Sequence, residues 1–148
     1  MSRSPLSRIR RDGDGVDEPR PPPPFVVGLT RSGTTLVRMM LDAHPLLTIP
    51  PETHFVPDLI KAARAEQGSA GMLAAMTSNR TWADFGIDDE EIRERLEQVD
   101  SGDGAGAVRA FFETYAAKHS KPGWGDKTPA YMLSIQRIGR TLPESRFI

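Results

Sequence analysis

The 148-residue chain, a length that fits one domain, carries 19 Lys and Arg against 20 Asp and Glu, and its net charge of −1 gives no whole-chain case for binding nucleic acid. It has no cysteine, which excludes a disulfide scaffold, a thiolate nucleophile and a cysteine-based zinc site; its three histidines, His44, His54 and His119, show no metal-ligand spacing. Its apolar runs fall far short of the ~20 residues of a membrane span, and no apolar segment follows the N-terminal arginines as a secretory signal requires. The expected compartment is the cytoplasm.

Residues 1–24 read as a disordered leader, because arginines and acidic residues alternate and Pro21, Pro22, Pro23 and Pro24 then run together. Such a segment has little to bury, and its prolines favour a stiff extended spacer. Order is expected from Phe25. Residues 25–29 form a short apolar run of β-formers, the signature of a strand buried on both faces of a parallel sheet. A turn over residues 30–35 leads to a helix carrying Leu36, Val37, Met39, Met40 and Leu41, which His44 and Pro45 stop. Residues 46–49 suggest a second strand. Phe55, Val56, Leu59, Ile60 and Ala63 form the apolar stripe of a helix that tolerates Pro57 in its first turn. Asp88 suits an N-cap, with Ile92, Leu96 and Val99 behind it. Residues 101–106 read as a glycine-rich link, and Val108, Phe111, Phe112, Tyr115 and Ala116 as a further core helix. The segment 124–129 leads into a helix carrying Tyr131, Ile135, Ile138 and Leu142, with Thr128 as its cap. Residues 145–148 start another buried strand, so the chain reads as cut in mid-sheet. Asn79-Arg80-Thr81 fits a glycosylation sequon, which carries little weight without a secretory signal. The fold class expected is α/β, a P-loop-like parallel sheet flanked by helices.

The chemistry concentrates in Gly28-x-x-x-x-Gly33-Thr34-Thr35, which follows a strand and opens a helix. Glycines let successive N–H groups converge on one anion, and the helix N-terminus adds partial positive charge. In phosphate-binding loops of nucleoside triphosphatases a lysine follows the second glycine. Here that position is Thr34, and the cation comes earlier, as Arg31.

The run Val27 to Leu36 resembles the 5′-phosphosulfate loop of sulfotransferases that use 3′-phosphoadenosine 5′-phosphosulfate (PAPS). Many cytosolic members have lysine and tryptophan where this chain has Arg31 and Leu36. The chain is more similar to tyrosylprotein sulfotransferases and related bacterial enzymes. Those share an Arg-Ser-Gly-Thr-Thr-Leu loop, a helix ending like Leu41-Asp42-Ala43-His44-Pro45, a Glu-Thr pair like Glu52-Thr53, and a later lysine in a segment like Asp126-Lys127-Thr128-Pro129. The resemblance implies sulfuryl transfer from PAPS to an acceptor hydroxyl, without a metal. It implies that Thr30, Arg31, Ser32, Gly33, Thr34 and Thr35 hold the donor's 5′-phosphate end and that Arg31 faces the leaving phosphate. It makes Glu52 the base and Lys127 a second cation that stabilises the transition state, with His54 the alternative base. The family's Arg-Asp motif and later serine, which grip the 3′-phosphate, have no counterpart up to Ile148, so this chain is expected to hold the N-terminal portion of a sulfotransferase domain over residues 25–148. The alternatives are a P-loop kinase or NTPase, and a non-catalytic anion-binding fragment.

Overall fold

The computed structural model describes residues 21–148; the expected leader lies outside the described residues up to residue 20. Among the described residues the strands are β1 (Pro24–Val26), β2 (Leu47–Thr48), β3 (Gly123–Trp124), β4 (Asp126–Lys127) and β5 (Arg146–Phe147). The helices are α1 (Thr34–Asp42), α2 (Val56–Arg64), α3 (Gly68–Thr77), α4 (Asp89–Glu97), α5 (Gly104–Lys118) and α6 (Ile135–Thr141), with 3₁₀ segments at Trp82–Phe85 and Pro129–Ser134.

All strand pairs are parallel. β1 lies between β4 and β5, with Phe25 opposite Asp126 and Val26 opposite Lys127. β2 pairs with β3, placing Thr48 opposite Trp124. Gly125 joins β3 to β4 and donates to the Thr48 carbonyl at 3.0 Å, so one short strand pairs first with β2 and then with β1. A Cβ at Gly125 would come within 2.6 Å of both Ile49 Cδ1 and the Pro24 carbonyl, which is why glycine stands there.

Several boundaries differ from the sequence expectation. β1 starts at Pro24, and the Pro23 carbonyl already accepts the Arg146 N–H at 3.0 Å. Proline is tolerated at the first position of a strand, so ordered structure reaches back into the proline run. β1 ends at Val26 because Gly28 turns the chain with φ +154°, leaving Leu29 exposed in the loop. α5 starts at Gly104, inside the expected link, with Asp103 accepting from the Gly106 N–H at 2.8 Å. α3 was not expected; its apolar residues lie all round and set no face.

The helical layer is built on aromatic rings. Phe55 meets Phe111 edge-on at 4.8 Å, and Phe112 stacks on Trp124 at 4.4 Å with the ring planes 10° apart. Phe25 touches Phe112, Trp124 and Phe147, which ties the central strand to this layer. Each such aromatic pair is worth ~0.5–1.5 kcal/mol beyond the area it buries. Asp88 accepts from the N–H groups of Glu90 and Glu91 and caps α4, as its position predicts. α1 differs from the other helices. No residue of it is buried, and Leu36, Met39 and Met40 face outward at 63%, 62% and 68% exposure.

Candidate active site

A parallel sheet gathers the C-terminal ends of its strands on one edge, where open α/β folds bind ligands. Here that edge carries the loop after β1, the segment after β2 and the end of β4.

The loop is shaped by its backbone. Gly28 (φ +154°), Arg31 (φ +62°) and Gly33 (φ +83°) all have positive φ. A Cβ on Gly28 would lie 3.1 Å from Ser32 Oγ, so the loop closes tightly over that glycine. The Gly28 N–H is held by the Pro129 carbonyl at 3.2 Å, and the Ser32 hydroxyl donates to the Leu29 carbonyl at 2.5 Å. The Ser32 hydroxyl is therefore engaged within the turn, whereas the sequence suggested a donor aimed at a ligand. Gly33 is the N-cap of α1, no side chain caps that helix, and its first turn holds no acidic residue. Its leading N–H groups thus need a partner, and an anion is one that the helix dipole favours. Arg31 is exposed and makes no hydrogen bond or ion pair among the described residues.

Glu52 is fastened from both sides through the backbone. Before it, the Arg38 guanidinium donates twice to the Ile49 carbonyl at 3.3 and 3.1 Å, and Asp42 accepts the Ile49 N–H at 2.8 Å and the Thr48 hydroxyl at 3.2 Å. After it, the Asn79 amide donates to the Thr53 carbonyl at 2.7 Å, and Asn79 Oδ1 in turn accepts from the Thr81 N–H at 3.1 Å and the Thr81 hydroxyl at 3.0 Å. Asn79 and Thr81, read from sequence as a sequon, thus hold the segment that carries Glu52.

The Glu52 carboxylate lies between Lys127 and His54. The Lys127 ammonium donates to Oε1, and His54 Nε2 stands 3.0 Å from Oε2. The Lys127 side chain is only 8% exposed, against 35% for Glu52 and 44% for His54. A buried ammonium needs a counter-charge, and Glu52 supplies it. His54 has a left-handed backbone at φ +56°, a conformation that costs a non-glycine residue on the order of 1 kcal/mol and clusters at functional sites. The structure therefore joins Glu52, Lys127 and His54 by contact. Arg31 makes no hydrogen bond or ion pair with any of them, although its loop leaves β1 beside β4.

Behind this group lies a buried polar cluster that sequence reasoning did not single out. Asp126 Oδ1 accepts from the hydroxyls of Thr53 at 2.8 Å and Thr128 at 3.3 Å. The Thr53 N–H donates to Thr128 Oγ1 at 3.0 Å, and the Thr53 hydroxyl pairs with Tyr131 OH at 2.7 Å. Thr128 occupies the N-cap position expected of it but makes no capping bond, because its oxygen is committed to this cluster. The helix expected after it opens as the 3₁₀ turn Pro129–Ser134, with α6 following. Burial drives Asp126 up to about 7; the bonds from Thr53 and Thr128 oppose the rise, the Glu52 charge adds to it and Lys127 opposes it. Burial likewise raises Tyr131 well above the ordinary phenol value. The available signal was a polar Asp-Lys-Thr run between Trp124 and Pro129, too short for any periodicity to mark it as strand. No helix among the described residues is long and apolar enough to cross a membrane.

Comparison with known proteins gives consistent matches. The profile described as "Sulfotransferase family" matches residues 22–148. Human protein-tyrosine sulfotransferase 1 is 30% identical over 126 residues, which cover 84% of this chain and 29% of that protein. Chicken protein-tyrosine sulfotransferase 2 is 30% identical over 128 residues, again 84% of this chain and 29% of its own length. The chain thus spans under a third of these curated relatives. A sulfotransferase structure from Mycobacterium avium aligns with TM-score 0.45 at 17% identity, over 89% of this chain and 43% of that one.

Proposed function

The chain belongs to the sulfotransferase family, and from that premise we propose that it contributes the donor-phosphate cradle and the acceptor base of an enzyme transferring a sulfuryl group from PAPS to a hydroxyl. The observation that carries this reading is the placement of Glu52, bonded to buried Lys127, on the strand edge that also bears the loop of Arg31. A kinase or NTPase reading lacks its lysine, since Thr34 follows Gly33, and the family supports the other chemistry.

Sulfuryl transfer moves SO₃ from a phosphate to an acceptor oxygen. Negative charge grows on the leaving phosphate while the acceptor loses its proton. Phosphoryl transfer makes the same demands and is met mostly by positioning and electrostatics. The uncapped start of α1 fits a phosphate group, because its N–H donors lack a side-chain partner and Gly28 and Gly33 let the backbone close around an anion. Thr30, Ser32, Thr34 and Thr35 line the same turn. In this reading the Arg31 fork binds the leaving phosphate's oxygens. Glu52 takes the acceptor's proton, oriented by Lys127 and His54. Lys127 supplies a second positive charge, which stabilises the transition state. The relatives are named for protein tyrosine, so a tyrosine-bearing peptide is the first acceptor to try.

The experiment is incubation of a domain in which this chain is continued by the family's Arg-Asp and serine segment with PAPS and a tyrosine peptide, followed by mass spectrometry of the peptide. The reading expects sulfated peptide together with 3′-phosphoadenosine 5′-phosphate. Phosphorylated peptide from ATP and Mg²⁺, with no sulfated product from PAPS, would overturn it.

A further inference from the structure

We propose that Asp126 is a positioning residue: acting through Thr53, it sets Glu52 against Lys127 from the buried side of the site. Its consequence for turnover rests on the sulfuryl-transfer reading, but the geometry does not.

The hydrogen atoms of the cluster can be assigned in one direction. The Val56 N–H donates to Tyr131 OH at 2.9 Å. The Thr53 hydroxyl has one hydrogen, and Asp126 Oδ1, at 2.8 Å, takes it. The Tyr131 hydroxyl must therefore donate to Thr53 across their 2.7 Å contact. On the second branch, the Thr53 N–H donates to Thr128, whose hydroxyl donates to the same Oδ1. Both branches end on one carboxyl oxygen, and every member is buried. Asp126 Oδ2 is also buried and has no hydrogen-bond partner among the described residues.

Thr53 and Asp126 are the chain neighbours of Glu52 and Lys127. One pair of segments thus makes two cross-links, one facing the cleft (Glu52 to Lys127) and one facing the core (Thr53 to Asp126). The core link restricts how far the two segments slide or part, and the cleft link inherits that restriction. The ionisable groups facing Asp126 are Glu52 on the segment after β2, Lys127 on β4 and Tyr131 on the 3₁₀ turn; β1 presents Phe25. A bond to a charged acceptor is stronger than one to a neutral acceptor, so the core link tightens when Asp126 ionises. With Asp126 titrating at about 7, that change falls in the neutral range.

The test is ¹³C NMR titration of the side-chain carboxyl carbons in the whole chain, for wild type, Thr53→Ser, Thr53→Val and Asp126→Asn. In wild type and in Thr53→Ser, Glu52 is expected to show, besides its own step, a second step at the pH where Asp126 titrates. Asp126→Asn abolishes that second step, and Thr53→Val at least halves it while leaving the direct charge interaction in place. Should Thr53→Val not fold, Thr53→Ala carries the same expectation. A second step of full size in the variant lacking the hydroxyl, or none in wild type, overturns the proposal. No donor nucleotide is used, so this failure leaves the sulfuryl-transfer reading standing, and absence of sulfated product leaves the Thr53–Asp126 core link standing.

Discussion

Glu52 has an ammonium on one oxygen and an imidazole near the other, an arrangement suited to receiving a proton at a fixed place. In a domain that continues this chain with the family's 3′-phosphate-gripping segment, Glu52→Gln keeps the side chain's size and is expected to act on the chemical step: kcat falls ~10²–10⁴-fold while the dissociation constant for 3′-phosphoadenosine 5′-phosphate changes little. Arg31→Ala behaves differently, because the guanidinium is assigned to the donor, and weakens nucleotide binding as well as turnover. Turnover and nucleotide affinity measured side by side separate the two roles; a Glu52→Gln enzyme keeping more than about a tenth of wild-type kcat would move the base to His54. Asp126 gives a prediction on stability. Its folded-state value is about 7, above the ordinary 3.8, so between those values the folded chain holds a proton that the unfolded chain has released. Its contribution to stability is therefore present at low pH and is lost as pH rises through that window, by a few kcal/mol in order of magnitude. Asp126→Asn removes the slope. Urea denaturation at a series of pH values should show the variant gaining on wild type between about pH 4 and 7, with no further gain above; parallel curves across that window would refute the assignment.

At the level of elements, Gly125 decides whether β3 and β4 act as one strand. Gly125→Ala forces a methyl against Ile49 and the Pro24 carbonyl, one of them backbone that cannot swing aside. A loss of ~1–3 kcal/mol or more, read by chemical denaturation, is expected; a neutral substitution would mean the two half-strands are independent. This junction also marks where sequence reading stops. β1 and the helices α2, α4 and α5 were legible because apolar stripes, the Asp88 cap and the Pro57 position are local signals. Strands of two residues have no period, and Asp126 and Lys127, buried and charged, read as loop. Thr128 is the corresponding miss at a helix start: it sits at the cap position, yet its hydroxyl serves a partner 75 residues away in sequence. The loop and the Glu-Thr pair were legible as residue types in order. The joining of Glu52 to Lys127 depends on parallel pairing between distant segments, and the hold of Asn79 on Thr53 depends on how the end of α3 packs, neither of which a local pattern encodes.

Across the whole molecule, stability sits in the aromatic layer on one side of β1, whereas α1 is held to the sheet mainly by polar ties from Arg38 and Asp42 to the β2 segment. Phe111 is fully buried and touches Phe55, Phe85 and Phe112, so Phe111→Ala should cost ~3–5 kcal/mol. Met40 is 68% exposed, and Met40→Gln should stay within about 0.5 kcal/mol. Denaturation curves with similar losses for both would contradict this division. The same division leaves α1, which follows the Gly28–Gly33 loop, free of the core, so the loop can be tested without endangering the fold. The most direct measurement is calorimetric titration of the chain with 3′-phosphoadenosine 5′-phosphate and, separately, with ATP and Mg²⁺. The desulfonated nucleotide is expected to bind the more tightly, without need of metal, and to lose at least tenfold in affinity in Arg31→Ala. Tighter, Mg²⁺-dependent binding of ATP, indifferent to Arg31, would contradict this expectation.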